Sequence, residues 1–138
     1  MEIVFLDTNI ILDLIQRREN YILAGKIFQL ASEGKYSIVT SSISMVNIAY
    51  ILRKVFKGEE LYRQLRLMRL QLNVISVSAA AYDKALSSNA KDFEDAVQLY
   101  SAEEYGADCV ITRNKKDFID NIVPIYTPDE FLDLQVFK

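Results

Sequence analysis

The side chains of this sequence that could carry hydrolytic chemistry are oxygen donors. There is no histidine, which removes Ser-His-Asp and Cys-His catalysis and histidine-ligated zinc. Acid–base work falls to carboxylates, Lys, Tyr or metal-bound water. The oxygen donors sit at the ends of apolar segments. Asp7 ends the run Ile3-Val4-Phe5-Leu6, and Asn114 and Asp117 follow Cys109-Val110-Ile111. Asp92 and Asp95 share a face at the start of a helical pattern. Asn47 lies one to two turns into the helix that a serine-rich turn opens. Each has an ordinary role when taken singly: Asp7 as a helix cap, Asp92 and Asp95 as complements to a helix dipole, Asn114 and Asp117 as turn formers. Their order and spacing as a set point elsewhere. Carboxylates gathered without compensating Arg repel one another unless a cation sits among them. With no His or Cys donor, Mg²⁺ or Mn²⁺ is favoured over zinc, and such ions activate water for phosphodiester cleavage.

Bringing these groups together demands a particular fold. Ile3 to Leu6 is an unbroken apolar run, as in a strand buried on both faces of a parallel sheet. Thr8 and Asn9 start a helix with Ile10, Ile11, Leu14 and Ile15 in phase. A helix over Tyr21 to Ser32 follows, ended by Gly34, then a strand over Tyr36 to Thr40. Ser41, Ser42 and Ser44 open a helix running to about Lys57, broken at Gly58. Leu61 to Leu72 reads as a helix, Val74 to Val77 as a strand, Ala79 to Ser88 as a helix. Asp92 opens a strong helix stopped by Gly106, and Cys109 to Ile111 is a strand. Lys115 to Ile119 is one helical turn and Ile125-Tyr126 an edge strand. Thr127, Pro128 and Glu130 form an N-cap, a first-turn Pro and a capping box for a last helix to Leu134. Strand–helix alternation with short joins predicts one three-layer α/β/α domain over residues 1–138, with a central, mostly parallel sheet of four or five short strands.

Composition agrees. The 138 residues are 51% hydrophobic and 25% charged, as in an ordinary folded protein. No apolar run is long enough to span a bilayer, and the start lacks the basic region of a signal peptide. The single cysteine, Cys109, lies in an apolar stretch and reads as core filler. A reducing cytoplasm is the expected home.

Asp7-Thr8-Asn9 after a buried strand, Asp95-Ala96 within DFEDAVQLYSAEEYGAD, and ITRNKKDF from Ile111 to Phe118 together resemble the PIN domain family over essentially the whole chain. The family comprises metal-dependent ribonucleases, many of them VapC-type toxins of bacterial toxin–antitoxin pairs. The resemblance implies an endoribonuclease using Mg²⁺ or Mn²⁺. It places the first acidic ligand on Asp7, the third on Asp95 and the C-terminal acidic site on Asp117, with Asn114 beside it. Asn9 and Thr112 match positions that orient these groups. The family's second acid, usually Glu, falls on Asn47, whose amide can ligate or hold water but carries no charge. Asp92, one turn before Asp95, is the residue expected to compensate. An antitoxin partner, RNA as substrate and a homodimer follow from the same resemblance. The alternative is a PIN-like module that binds RNA or a partner without cutting, and Asn47 keeps that alternative open.

A net charge of −3 is unusual for an RNA-binding protein. The charge is uneven, however: Arg53, Lys54, Lys57, Arg63, Arg66 and Arg69 gather over two successive helices, where they would hold a phosphate backbone, and Arg17 and Arg18 would flank the mouth. The same helices carry more apolar residues than one buried face needs, among them Tyr50, Ile51, Leu61, Tyr62, Leu65 and Met68, which suggests a surface for an antitoxin or a second copy. The eight tyrosines fall mostly at core-like phases and are given no base-stacking role. Two other hydrolase or switch types are excluded. A haloacid-dehalogenase-like phosphatase needs an Asp where Asn9 stands, and a receiver-type phospho-acceptor needs an acid where Val77-Ser78 stands.

Overall fold

The two apolar runs Ile3–Leu6 and Cys109–Ile111 pair side by side at the centre of a parallel sheet, where both faces are covered. The computed structural model describes residues 2–118 and 122–138. Its strands are β1 (Ile3–Leu6), β2 (Ser37–Ser41), β3 (Asn73–Ile75), β4 (Cys109–Ile111) and β5 (Ile125–Tyr126), ordered β3-β2-β1-β4-β5 with every pair parallel. The chain runs outward from β1 to β3 and then crosses back to β4. The carboxyl ends of β1 and β4 therefore flank the point where strand order reverses, which is where open α/β sheets bind ligands.

Alternating side chains divide the core between two helical layers. Val4, Leu6, Ile38, Cys109 and Ile111 pack with α1 (Thr8–Ile15), α2 (Tyr21–Ser32), α3 (Ser42–Leu52), α4 (Glu59–Gln71) and α7 (Pro128–Gln135). Phe5, Val39, Ile75 and Val110 face the other way, towards Leu99 and Ala102 of α6 (Phe93–Tyr105). Helix α5 (Ala79–Leu86) packs on α6 through Ala85, Ala96 and Val97. The three-layer architecture with a parallel sheet is the one the alternation predicts. Among the described residues no helix is long and apolar enough to cross a membrane.

Several boundaries differ from the sequence expectation. Helix α3 ends at Leu52 rather than near Lys57. Arg53, Lys54 and Val55 are exposed and offer no buried face to hold another turn, and Lys57 Nζ donates to the Arg53 carbonyl (2.9 Å). Strand β3 stops at Ile75, before Ser76-Val77, because its only neighbour β2 ends in the same register, at Ser41, and becomes α3. Strand β2 starts one residue late: Tyr36 turns inward, donating its hydroxyl to the Ile27 carbonyl (2.6 Å) and meeting Phe131 edge-on at 5.2 Å. Helix α4 starts earlier, at Glu59, and α5 ends earlier, at Leu86, while α7 extends to Gln135. Lys115–Asp117 is a 3₁₀ turn, and Ile119, the expected end of that turn, lies outside the described residues.

A wholly buried polar cluster fixes α3 against α6. Ser41 caps α3 by accepting from Ser44 N (3.0 Å), and its hydroxyl donates to Gln98 Oε1 (2.5 Å). Gln98 Nε2 donates to Ser44 Oγ, which also shares a hydrogen bond with Thr8 Oγ1 (2.8 Å). Ser41, Ser44 and Gln98 cannot reach water, so each depends on the others. Replacing Gln98 by Leu should therefore cost about 1–3 kcal/mol in urea unfolding; a loss below about half a kcal/mol would show that the cluster does not lock the two helices.

Candidate active site

The site is built on Asp7, the residue at which β1 becomes α1. Its backbone is extended (φ −68°, ψ 156°), and its N–H continues the sheet by donating to the Ile111 carbonyl (3.0 Å). One carboxylate oxygen caps α1 by accepting from Thr8 N (2.8 Å). The other accepts from Thr112 Oγ1 (2.8 Å) and Asn9 Nδ2 (3.2 Å). Cap and acid are thus the same group, with no choice to make between them. Thr112, buried at the end of β4, also accepts from Asn114 N (3.1 Å), and Asn9 Oδ1 accepts from Arg113 N (3.4 Å). The 112–114 turn is tied to Asp7 through both neighbours.

The other acids arrive from α6 and from the 3₁₀ turn. Asp92 is the N-cap of α6, accepting from Asp95 N (3.0 Å), so at least one of its oxygens is engaged by its own helix. Asp95 is half-buried, and its carboxyl is pushed up to about 7 by burial first and then by the charges of Asp7, Asp92, Glu94 and Asp117. Asp7 is likewise raised by burial, opposed by the Thr112 and Thr8 hydrogen bonds and reinforced by Glu94 and Asp92. No cation figures among the groups acting on either acid. Two cations of the neighbouring turn are bonded elsewhere: Arg113 Nε lies 3.1 Å from Asp13, and Lys115 Nζ lies 3.2 and 3.3 Å from Glu130, while Lys91 and Lys116 are exposed.

Two residues that matter here were not singled out by sequence reasoning. Glu94 accepts from Asn47 Nδ2 (3.1 Å) and adds its charge to both Asp7 and Asp95. It lies between Asp92 and Asp95 in the first turn of α6, and no spacing rule separates it. Gln98 did leave a signal: it is a polar residue inside the buried run Ala96–Ala102. Asn114 is exposed, and its side chain makes no hydrogen bond among the described residues, whereas Asp117 is half-buried and acts on Asp95.

The basic strip stands apart from the acids. Helix α3 leads away from the sheet edge, and at 1.5 Å per residue Arg53 is about 9 Å further along than Asn47. Arg63 pairs with Glu60 (3.6 Å), Arg66 with Glu59 (3.9 Å), and Arg53 lies over the Tyr50 ring at 4.0 Å. Arg69 donates to the Leu72 carbonyl (3.2 Å), and Lys54 and Lys57 are exposed. Among the described residues none of these cations forms an ion pair with the acid cluster. Arg17 is exposed, and Arg18 acts on Asp13. The tyrosines correct the expectation of core-like phases: Tyr21, Tyr50, Tyr62, Tyr82 and Tyr105 are exposed, and only Tyr36 is fully buried.

A divalent cation fits this donor set. All the donors are hard oxygen, their negative charge is unbalanced, and one of the acids is held in place by three hydrogen bonds. Among the described residues no three His, Cys, Asp or Glu side chains are grouped closely enough to hold a metal ion by themselves. An open set of this kind suits Mg²⁺ or Mn²⁺, which keeps several waters and completes its shell with substrate phosphate.

Comparisons with known proteins agree with this fold. The PIN domain family profile matches residues 3–116. Among solved structures, VapBC-1 from nontypeable Haemophilus influenzae is 24% identical, with a TM-score of 0.72 covering 92% of this chain and 98% of that one. A toxin–antitoxin complex from Klebsiella pneumoniae is 25% identical, with a TM-score of 0.65 over 91% and 97%. VapC20 of Mycobacterium tuberculosis, described as a sarcin–ricin loop cleaving toxin, is 18% identical, with a TM-score of 0.60 over 78% and 86%. No curated protein sequence matches the chain.

The charge imbalance has a consequence for stability. Asp95 binds its proton more tightly folded (about 7) than at its ordinary value of 3.8, so its stabilising contribution is complete below about pH 4 and is lost as pH rises through about 7. Melting of the metal-free protein should show Tm falling across that window, less so in Asp95→Asn, with added Mn²⁺ restoring Tm at the upper end. An identical pH profile in both proteins would contradict the assignment.

Proposed function

This chain belongs to the PIN domain family, and from that premise we propose that it is a Mg²⁺- or Mn²⁺-dependent endoribonuclease acting as the toxin of a toxin–antitoxin pair. The observation that carries the reading is the set of acids at the reversal point of the sheet, with Asp95 raised by burial and by the charges of Asp7, Asp92, Glu94 and Asp117. Asp7, Asp95 and Asp117 would hold the ion, with Glu94, Asn47, Asn114 and Asp92 completing its water-filled surroundings. When bound, the ion supplies charge neutralisation at the phosphate and an acidified water. The chain's own residues do the positioning. Thr8, Asn9 and Thr112 hold the Asp7 carboxylate in one orientation, so it need not reorganise when substrate enters.

Exposed side chains of Arg53, Lys54, Lys57, Arg63, Arg66 and Arg69 are suited to the phosphate backbone. The Arg63 and Arg66 ion pairs are long and solvated, and release to phosphate at little cost. The exposed apolar residues Val46 and Tyr50 of α3 and Tyr62, Leu67 and Leu70 of α4 are suited to an antitoxin segment or a second copy of the chain. The toxin–antitoxin complexes among the structural relatives support the first of these. The lone, buried Cys109 is consistent with a reducing cytoplasm.

The test is cleavage of a generic single-stranded RNA with Mg²⁺ or Mn²⁺, comparing wild type with Asp7→Asn, Asp95→Asn and Glu94→Gln made by the same preparation. Cleavage should require metal and fall by at least about a hundredfold in the first two variants. Equal cleavage in all, or none in any with RNA affinity intact, would favour a module that binds without cutting, the reading that the uncharged Asn47 otherwise supports.

A further inference from the structure

Among the described residues Asp13 is the one wholly buried carboxylate outside the site, and the function described above does not use it. It lies on α1, nearly two turns after Asp7. Both of its oxygens lack a hydrogen-bond partner among the described residues. Its partner is the Arg113 guanidinium, whose Nε stands 3.1 Å from Oδ2 as an ion pair, off the line of a directed hydrogen bond, while Arg18 acts on it from further away. An ion pair of this poor geometry, with the carboxylate buried and the arginine side chain 33% exposed, is a weak source of stability. Something other than packing accounts for a charge at this position.

Arg113 is where that charge has its effect. Its backbone is at the rim of the acid cluster: Thr112 donates to Asp7, Asn114 N donates to Thr112, and Arg113 N itself donates to Asn9. With its backbone anchored there, an Arg113 side chain released from Asp13 would be drawn to the acids around Asp95. A guanidinium entering the cluster would form the paired hydrogen bonds that carboxylates favour and would occupy the cation's place. We propose that Asp13 is a positioning residue that sequesters Arg113, keeping an internal cation out of the acid cluster so that it stays open to a divalent ion. The charge on α1 thereby acts at a distance, through the arginine it withholds. This inference rests on the metal-site reading and adds a residue that touches neither metal nor substrate.

Mn²⁺ affinity, measured by titration calorimetry on the full chain with folding checked by circular dichroism, tests it. Asp13→Asn keeps the shape and frees Arg113, and should weaken Mn²⁺ binding by about tenfold, the lower end of what loss of an outer-shell partner costs. Removing the freed cation in Asp13→Asn/Arg113→Gln should restore wild-type affinity, a recovery that a merely structural ion pair would not give. Arg113→Gln alone should bind Mn²⁺ at least as well as wild type, which keeps the idea testable if Asp13→Asn does not fold. Unchanged affinity in Asp13→Asn, no recovery in the double variant, or weakened binding in Arg113→Gln would each overturn the sequestering role. Asp95→Asn separates the two readings. If it loses Mn²⁺ while Asp13→Asn does not, only the role of Asp13 fails. If wild type binds no Mn²⁺, the metal site fails and this inference with it.

Discussion

Everything in this structure turns on like charges held close together where the sheet reverses its order. Asp7 cannot leave, because three donors hold its carboxylate and its backbone closes the β1–β4 ladder. Asp95 cannot leave, because α6 is locked to α3 through Gln98 and the two serines one turn away. With both fixed, repulsion between them cannot be relaxed by movement. It can be relieved only by a proton or by a cation. The raised carboxyl of Asp95, caused by burial first and by this repulsion second, is the proton answer. The sheet, the caps and the buried amide are therefore as much a part of the site as the acids are.

This arrangement also explains where the positive charge goes. Arg113 and Lys115 border the cluster in sequence, yet each is paired elsewhere, with Asp13 and with Glu130. A second group of cations, Arg53, Lys54, Lys57, Arg63, Arg66 and Arg69, lies along and just beyond α3 and on α4, and an overall charge of −3 hides this unevenness. An elongated polyanion could touch the cations and the acid cluster at separate points along its length.

Much of this was legible in the sequence, and for identifiable reasons. Unbroken apolar runs at Ile3–Leu6 and Cys109–Ile111 can only be doubly covered strands, and the carboxylate or polar turn that follows each marks the ligand-binding edge. Helix ends set by side-chain caps were readable, as at Thr127. Ends set by tertiary register were not: β3 stops because β2 does, and nothing near Ser76 announces it. In the site, Asp7, Asn9, Asp95 and Thr112 were named from motif and resemblance, and the structure brings Asn9 and Thr112 onto Asp7. Glu94 was hidden because its partner, Asn47, is distant in sequence. The exposed tyrosines were misjudged because helical phase alone does not say which face of α3 or α4 is covered.

The central claim is that the acids at the sheet reversal form a cation site. Anomalous diffraction from crystals grown with Mn²⁺ tests it without reference to activity. The account predicts an anomalous peak bordered by Asp7, Asp95 and Asp117, with Glu94 on its α6 side. A peak elsewhere on the surface, or none at saturating Mn²⁺ with these carboxylates unobstructed, would contradict it.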